Sequence, residues 1–271
     1  MLITTLESYL DGRISELTPE VRQEMLREIG NSDGYLRDNL IYKSFGKLIF
    51  SDQLTPQEID ALLEVVIGEE YLCYRLGESG TDSVFTRSFS ALAIAAIIEY
   101  DIEKKVVQRD LVQHTVHNVI HYMMEEKDTR GFIEGKGWAH AIAHGADVLD
   151  ALAKHPFLKK EDISQVLHAV QHCLCKQVDY LDEEEERLAN IIASLLEHQN
   201  AERDIQAWMA GLTGMVETQL DENKGSIDAY HTKRTVKNFL KAVYIMLNSK
   251  EIGVESNKDI FRVLEKWMYI H

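Results

Sequence analysis

The sequence predicts an all-α protein, and three features of the chain support this fold class. Apolar residues recur at steps of three and four, the period of a helix that buries one face. Helix start and stop signals bracket several of these segments. Runs of alternating β-branched residues, which would indicate half-buried strands, are not evident. We therefore expect about two-thirds or more of the residues to be helical, compared with roughly one-third in an average soluble domain.

The clearest helices begin at two Leu-Thr-Pro motifs. In "LTPEVRQEMLREIG", Thr18 is the expected N-cap, Pro19 suits the first turn and Gly30 ends the helix. In "LTPQEIDALLEVVIG", Thr55 takes the capping role and Glu58, three residues later, completes a capping box. Further helices are predicted over residues 36–50, 84–100, 104–126, 137–154, 160–179, 183–198, 201–220, 228–249 and 256–270.

The later helices show a repeat. The segments "LRDNLIYKSFGKLI", "TRSFSALAIAAIIEY", "GWAHAIAHGADVLDAL", "ERLANIIASLLEH" and "KRTVKNFLKAVYIML" align with Arg37, Arg87, Trp138, Arg187 and Arg234 in one column, at spacings of 50, 51, 49 and 47. A second helix follows each segment, so the unit is a two-helix hairpin, and about six hairpins are expected. The prediction is a HEAT- or armadillo-like α-solenoid, with closure toward an α/α toroid as the alternative.

The two helices of a hairpin differ in composition. The segment "SFSALAIAAII" carries no charge and is rich in small residues, as expected of a helix enclosed by others. Its successor, "IEKKVVQRDLVQHTVHNVIHYMMEEK", is amphipathic and charged. These compositions predict an inner layer of first helices and an outer layer of second helices.

Composition bounds the domain organisation and the class of partner. The chain contains only three prolines and no Pro- or Gly/Ser-rich linker, so one domain over residues 1–271 is predicted. It carries 45 acidic and 29 basic residues, a net charge of −16, which disfavours nucleic acid and anionic membranes as partners. The start of the chain does not resemble a secretory signal, and the three cysteines lack a disulfide framework. A cytoplasmic protein is expected, and its oligomeric state is not predicted.

The segment "GWAHAIAHGADVLDALAKH" supplies the candidate catalytic residues. On a helix that turns about 100° per residue, His140, His144 and Asp147 fall within an arc of roughly 60°. The neighbouring alanines leave room for a ligand or for another helix. In one hypothesis, Asp147 orients His144 as a general acid or base; in the alternative, the three side chains form a structural polar network.

A metal site at this arc is disfavoured. Two histidines four residues apart and Asp147 have suitable geometry for three ligands. However, Ala141 stands where the H-E-x-x-H zinc peptidases carry their general-base glutamate. No metal and no cofactor is therefore predicted. Two other clusters, His114, His117 and His121, and His168, His172, Cys173 and Cys175, are interpreted as partly solvated helix faces.

The aligned arginines and their neighbours form a second constellation. The candidate ligand-binding residues are Arg37, Asp38, Arg87, Lys136, Trp138, Glu186 and Arg187. If the helix starts converge, their guanidinium groups are suited to bind carboxylates or phosphates bidentately. In the alternative, the arginines pair with acidic residues such as Asp38 or Glu186 and lock the stack of helices.

Several segments together resemble a known family. "DGYLRDNLIY", "FTRSFSALAIAAII", "RGFIEGKGWAHAIAHGADVLDALAKH" and "EEERLA" are similar to the bacterial family called domain of unknown function 2785, found largely in Gram-positive species. The resemblance spans most of the chain, and the Gly-Trp-Ala-His segment is its most specific part. It implies an all-helical, HEAT-like protein and transfers no catalytic residue.

Three functional hypotheses follow. The first is a cytoplasmic α-solenoid that binds a small anionic molecule or a peptide on its concave face. The second is a hydrolase of the α/α-toroid type that uses His140, His144 and Asp147. The third is a structural adaptor whose exposed apolar groove meets a partner protein.

Overall fold

A computed structural model describes residues 1–176, 178, 180–223 and 225–268 of the chain. Among these residues it contains twelve α-helices, one π-helical segment and one short two-stranded hairpin. The predicted all-α class is therefore confirmed. The chain divides into two compact units, Met1–Ala151 and Leu152–His271, here called the N-terminal and C-terminal units. The single domain over residues 1–271 and the solenoid arrangement stay predictions.

The N-terminal unit contains helices of very different lengths and the hairpin. Its elements are α1 (Leu2–Leu10), α2 (Pro19–Arg27), the π-helical segment (Tyr35–Ile41), α3 (Tyr42–Phe50), α4 (Pro56–Val66), α5 (Ser83–Lys104), α6 (Arg109–Glu125), β1 (Phe132–Ile133), β2 (Gly137–Trp138) and most of α7 (Ala141–Lys154). Helix α5 packs against α3 and α4. Helix α7 lies on α6, where the Tyr122 hydroxyl donates a 3.0 Å hydrogen bond to the Ala141 carbonyl.

Helix α5 is the central helix of this unit. Most of its residues are buried, and Phe85, Ile94 and Ile98 have no exposed surface. By length and composition it is the one helix among the described residues that is apolar enough to cross a membrane. However, 89% of its apolar window is buried inside the protein, as in the core helix of a soluble protein. The predicted enclosure of "SFSALAIAAII" is confirmed within this unit.

The C-terminal unit contains five helices among the described residues. They are α8 (Lys160–Leu174), α9 (Glu184–His198), α10 (Glu202–Glu222), α11 (Ile227–Lys250) and α12 (Val254–Trp267). Helix α11 packs against α9 on one side and against α12 on another, and α10 also contacts α12. Phe239 and Val243 of α11 are fully buried in this core.

The two Leu-Thr-Pro motifs form different caps. The hydroxyl of Thr55 accepts a hydrogen bond from the Glu58 N–H, and the Glu58 carboxylate accepts one from the Thr55 N–H at 2.8 Å, so the predicted capping box is present. Thr18 occupies the N-cap position of α2, but its side chain makes no capping hydrogen bond. Helix α2 also ends at Arg27, three residues before Gly30. The residue three positions after Thr18 is Val21, where the second motif has Glu58, so only the second motif can form a capping box.

We expect Thr55→Ala to lower the free energy of unfolding by about 1 kcal/mol, because two capping hydrogen bonds are weakened. The backbone and hydroxyl hydrogen bonds from Thr55 lower the pKa of Glu58. The stabilisation from an ionised Glu58 is thus complete above the ordinary carboxyl pKa and is lost as pH falls through the lowered value. Urea unfolding at neutral and acidic pH measures both effects. Thr18→Ala is the matched control, and an equal loss in both variants would contradict the cap assignment.

The region 137–154 is not one helix, contrary to the sequence prediction. Residues Phe132 and Trp138 pair across an antiparallel hairpin, and α7 begins only at Ala141. Gly135 and Gly137 have φ values of 76° and 84°, left-handed backbone that glycine adopts easily and that a regular helix does not contain. The expectation of no strands is corrected here. Trp138 therefore lies on a strand, and the proposed repeat column does not mark a helix start at this position.

Candidate functional site

His140 lies before α7 rather than on the same helical face as His144. Its φ is +48°, which is unusual for a residue with a side chain. Its N–H donates to the Arg130 carbonyl at 3.1 Å, and its carbonyl accepts from the His144 N–H at 2.8 Å. The predicted helical arc of three residues is therefore wrong at His140. The two imidazoles still come together, with ring centroids 5.7 Å apart.

His144 is oriented through the backbone of α5. Its Nδ1 lies 3.2 Å from the Ser88 carbonyl. Since a carbonyl only accepts, this contact places the proton on Nδ1 and leaves Nε2 as the acceptor of the neutral ring. Asp147 lies about one turn further along α7 and is half-buried. The sequence-based idea that Asp147 orients His144 stays a hypothesis, but Ser88 is the partner of Nδ1.

The two histidines belong to a continuous row of rings, here called the aromatic row, made of Phe132, Trp138, His140, His144 and Phe89. Successive ring centroids are separated by 5.0, 4.4, 5.7 and 5.4 Å. Three of these four pairs meet edge to face, an arrangement favoured by the ring quadrupoles. Phe132 and Trp138 are 57% and 41% exposed, whereas His144 and Phe89 are buried. The row therefore runs from the surface of the N-terminal unit into its core.

Arg37 anchors the hairpin that carries the exposed end of the row. Its fully buried guanidinium donates to the Lys136 carbonyl at 2.7 Å, and its Nε lies 2.8 Å from an Asp38 carboxylate oxygen. The guanidinium carbon also lies 4.0 Å from the centre of the Phe85 ring. Burial lowers the pKa of Arg37, and Asp38 partly offsets this. The Arg37 guanidinium therefore has a structural role. This agrees with the alternative in which the arginines pair with acidic residues and hold the helices together.

Asp38, the partner of Arg37 in this ion pair, also holds the β1–β2 hairpin in place. Its carboxylate accepts a hydrogen bond from the Trp138 N–H. Burial raises the pKa of Asp38, while the neighbouring Arg37 charge acts in the opposite direction. A side chain at Gly137 would lie 3.0 Å from an Asp38 oxygen, so the close approach of the hairpin requires glycine there. Arg37 and Asp38 thus lie beside Trp138 and hold its strand in place.

Arg87 is enclosed completely. Its Nε and an Nη donate to both Glu126 oxygens at 2.6 and 2.9 Å, and its remaining donors reach the Tyr74 and Glu78 carbonyls, each at 3.1 Å. Burial alone would lower the pKa of Arg87, but Glu126 more than offsets this and raises it. Neither side chain of the ion pair has exposed surface. Arg87 therefore joins the segment before α5 to the end of α6.

Lys136 is the predicted ligand-binding cation in the turn of the hairpin that carries Trp138. Its ammonium contacts both carboxylate oxygens of Asp82 at 2.7 Å, and both side chains are partly exposed. Ion pairs of this kind are weak, so an anionic ligand can compete for the ammonium. Arg130, just before the hairpin, is paired with the buried Asp128 at 2.6 Å.

Glu186 and Arg187 lie in the C-terminal unit. Both are in the first turn of α9 and both are exposed. Their predicted convergence with Arg37 and Arg87 stays a prediction. In the other histidine clusters, His114, His117, His121 and His168 are exposed and His172 is partly exposed, as expected of solvated faces. Cys173 of the second cluster is instead fully buried, and Cys175 is partly exposed.

Sequence reasoning missed Phe132, Phe89 and the Ser88 carbonyl as parts of this site. Two aromatic residues separated by a glycine-containing turn are a hairpin signal, but the helix predicted over residues 137–154 includes only Trp138 of this pair. Phe89 and Ser88 contribute through the tertiary packing of α5 against the histidines, which no local pattern indicates.

The arrangement supplies aromatic surface and imidazole groups, but it does not identify a nucleophile. The side chain of Ser88, whose carbonyl contacts His144, is fully buried, so its hydroxyl is not accessible to a substrate. Acid or base chemistry by His144 would therefore need a nucleophile from a substrate or from water. Recognition of a ligand needs no such group.

Comparison with known proteins gives one match. A family model described as "Protein of unknown function (DUF2785)" matches residues 72–245, which is more than half of the chain. The matched region includes the whole aromatic row and excludes Arg37 and Asp38. No curated protein and no solved structure matches the sequence.

Proposed function

We propose that this chain, which belongs to the DUF2785 family of proteins of unknown function, is a binding protein for a small anionic molecule or a peptide. The observation that carries the proposal is the exposed indole of Trp138, held on a fixed hairpin and in contact with His140. The ligand places an apolar group against this indole and a carboxylate or phosphate near the imidazoles.

A fixed aromatic surface favours binding because little conformational freedom is lost when a ligand arrives. Trp138 is exposed, yet its backbone N–H and carbonyl are both engaged, by Asp38 and by Arg37 respectively. Rigid aromatic side chains contribute large contact area at low entropic cost, which is why they dominate many binding sites. Preorganisation of this kind raises affinity without additional contacts.

The imidazoles supply the polar half of the recognition. A protonated histidine attracts an anionic group, and a charged hydrogen bond is roughly twice as strong as a neutral one. The HEAT-like α-solenoid with a concave binding face, its toroid alternative and the cytoplasmic location agree with such a function and stay predictions.

Tryptophan fluorescence tests the proposal directly. The chain has three tryptophans, Trp138, Trp208 and Trp267, so the variant W208F/W267F reports on Trp138 alone. The probes are inorganic phosphate and a library of short peptides with free or amidated C termini. We expect a saturable change in emission with at least one probe, and a preference for free over amidated peptides if the carboxylate is recognised.

Trp138→Ala should abolish the thermal stabilisation that the best probe gives to the unsubstituted chain, while the unliganded melting temperature stays nearly unchanged because the side chain is exposed. Phe261→Ala, at an exposed aromatic of the C-terminal unit, is the matched control. His144→Gln tests the imidazole while keeping an N–H donor. Stabilisation that persists in Trp138→Ala, or no response to any probe, would contradict the proposal.

The hydrolase hypothesis has less structural support than the binding hypothesis. His140 and His144 lie together, but the described residues place no accessible nucleophile that we can assign beside them. Turnover of a bound probe that is lost in His144→Gln would support this hypothesis. The adaptor hypothesis depends on a different surface, in the C-terminal unit.

A further inference from the structure

An exposed apolar groove lies between α11 and α12. Its volume is about 380 Å³, and it is lined by Lys241, Tyr244, Ile245, Phe261, Leu264, Glu265 and Met268. Ile245, Phe261 and Met268 are 66%, 50% and 47% exposed. Scattered exposed apolar residues are common, but three large ones along one groove form a continuous hydrophobic patch. We call this surface the α11–α12 groove.

A row of lysines borders the groove on α11. Lys233, Lys237 and Lys241 follow each other at intervals of four residues, so they lie along one side of the helix. Burial lowers the pKa of Lys237, and the positive charges of Lys241 and Lys233 lower it further. Three like charges in a row oppose one another, so this arrangement costs stability in the isolated chain.

Within the described part of the chain, no carboxylate forms an ion pair with any of these three lysines. Other lysines of α11 and α12 are paired: Lys250 with Glu197, Lys258 with Glu255 and Lys266 with Glu217. Lys233 instead lies over the Trp267 ring, 5.7 Å from its centre. On a protein of net charge −16, the row is therefore a local positive surface. The nearby Glu217 carboxylate attracts Lys233 but is hydrogen-bonded to Lys266 and Trp267.

We propose that the α11–α12 groove binds an acidic amphipathic helix of a partner protein. The apolar face of the partner helix fills the groove at Ile245 and Phe261, and its carboxylates face the lysine row. From Lys233 to Ile245 the border is about 18 Å long at about 1.5 Å per residue, which matches roughly three turns of a partner helix. The charges give orientation and a faster encounter, and the apolar contact gives most of the affinity.

Other occupants fit less well. If two copies met through the same groove, a two-fold axis would place one lysine row beside the other, and the like charges would repel. A bilayer offers a flat surface rather than a cylinder, and the acidic body of the protein is repelled by anionic lipids. The same charge disfavours nucleic acid.

The first test uses a fluorescent helical peptide of about 15 residues with leucines on one face and glutamates on the other. We expect saturable binding to the full chain, at least tenfold weaker for Lys237→Glu/Lys241→Glu and weaker at higher salt. Lys159→Glu/Lys160→Glu makes the same change of charge at two exposed lysines of the same unit and is the matched control. Equal binding by both double variants, or no binding by the unsubstituted chain, would refute the charge-guided groove.

The second test identifies the natural occupant. A photo-crosslinking residue at Ile245, in the full chain inside cells of its source, is followed by mass spectrometry of the crosslinked segment. Segments that are acidic and amphipathic, and that are lost in Lys237→Glu/Lys241→Glu but not in the control, support the proposal. The proposal would be overturned by crosslinks to a second copy, to lipid or to basic segments. It would also be overturned if Ile245 gave no more crosslinks than the same residue placed at position 160.

Discussion

Arg87→Met lowers the free energy of unfolding by about 3 to 5 kcal/mol, because it leaves the Glu126 carboxylate buried without its cation. Neither side chain has exposed surface, and Arg87 donates to both oxygens of Glu126. The Tyr74 and Glu78 carbonyls also lose a donor. Urea unfolding followed by circular dichroism measures the loss.

Arg75→Met is the control for Arg87→Met. Arg75 forms an exposed ion pair with Glu78 at 3.8 Å, and surface pairs contribute only about 0 to 1 kcal/mol. The double change Arg87→Met/Glu126→Leu should recover most of the stability, since no unpaired charge is then buried. A loss below about 1 kcal/mol in Arg87→Met would show that Arg87 is accessible to solvent, and would restore it as a candidate ligand-binding residue.

Gly30→Ala is expected to cost about 3 kcal/mol or more, since the added methyl group has no space. A Cβ atom there would lie 2.6 Å from the backbone nitrogen and 2.7 Å from the Cα of Thr86, closer than real contacts allow. Thr86 belongs to α5, so relief of the overlap requires the central helix of the N-terminal unit to move. Thermal and urea unfolding of the variant measure this cost.

Gly46→Ala makes the same chemical change as Gly30→Ala, but we expect it to raise the free energy of unfolding instead of lowering it. Gly46 lies inside α3, and apart from its chain neighbours and the backbone of its own helix no described atom lies within 4 Å of a Cβ built there. Alanine is a better helix former than glycine by about 1 kcal/mol, so this variant should be more stable. If both alanine variants changed stability in the same direction, close packing at Gly30 would not be the reason for its glycine.

The proposed binding functions lie in different units and are independent. Trp138→Ala acts on the aromatic row of the N-terminal unit, whereas Lys237→Glu acts on the α11–α12 groove of the C-terminal unit. A ligand of the first surface is recognised by an indole and two imidazoles. A partner at the second is recognised by a lysine row and an apolar groove. Loss of one activity with retention of the other separates the two proposals.

The sequence by itself determined the fold class, most helix positions and the interior location of α5. These properties are local, because the spacing of apolar residues within one helix reports which of its faces is buried. The capping box at Thr55 was predictable for the same reason, since both of its partners lie within one turn. Composition also indicated the solvated histidines of α6.

Tertiary structure decided the roles of the candidate site residues. Arg87 meets Glu126 across 39 residues, and Arg37 meets the Lys136 carbonyl across 99, distances over which no local pattern extends. The helix predicted over residues 137–154 forms only from Ala141 onward, because contacts from Arg37 and Asp38 hold the residues before it in a hairpin. A buried charge must find its partner among all neighbours in space, so its function as a lock or as a ligand contact follows only from the folded chain.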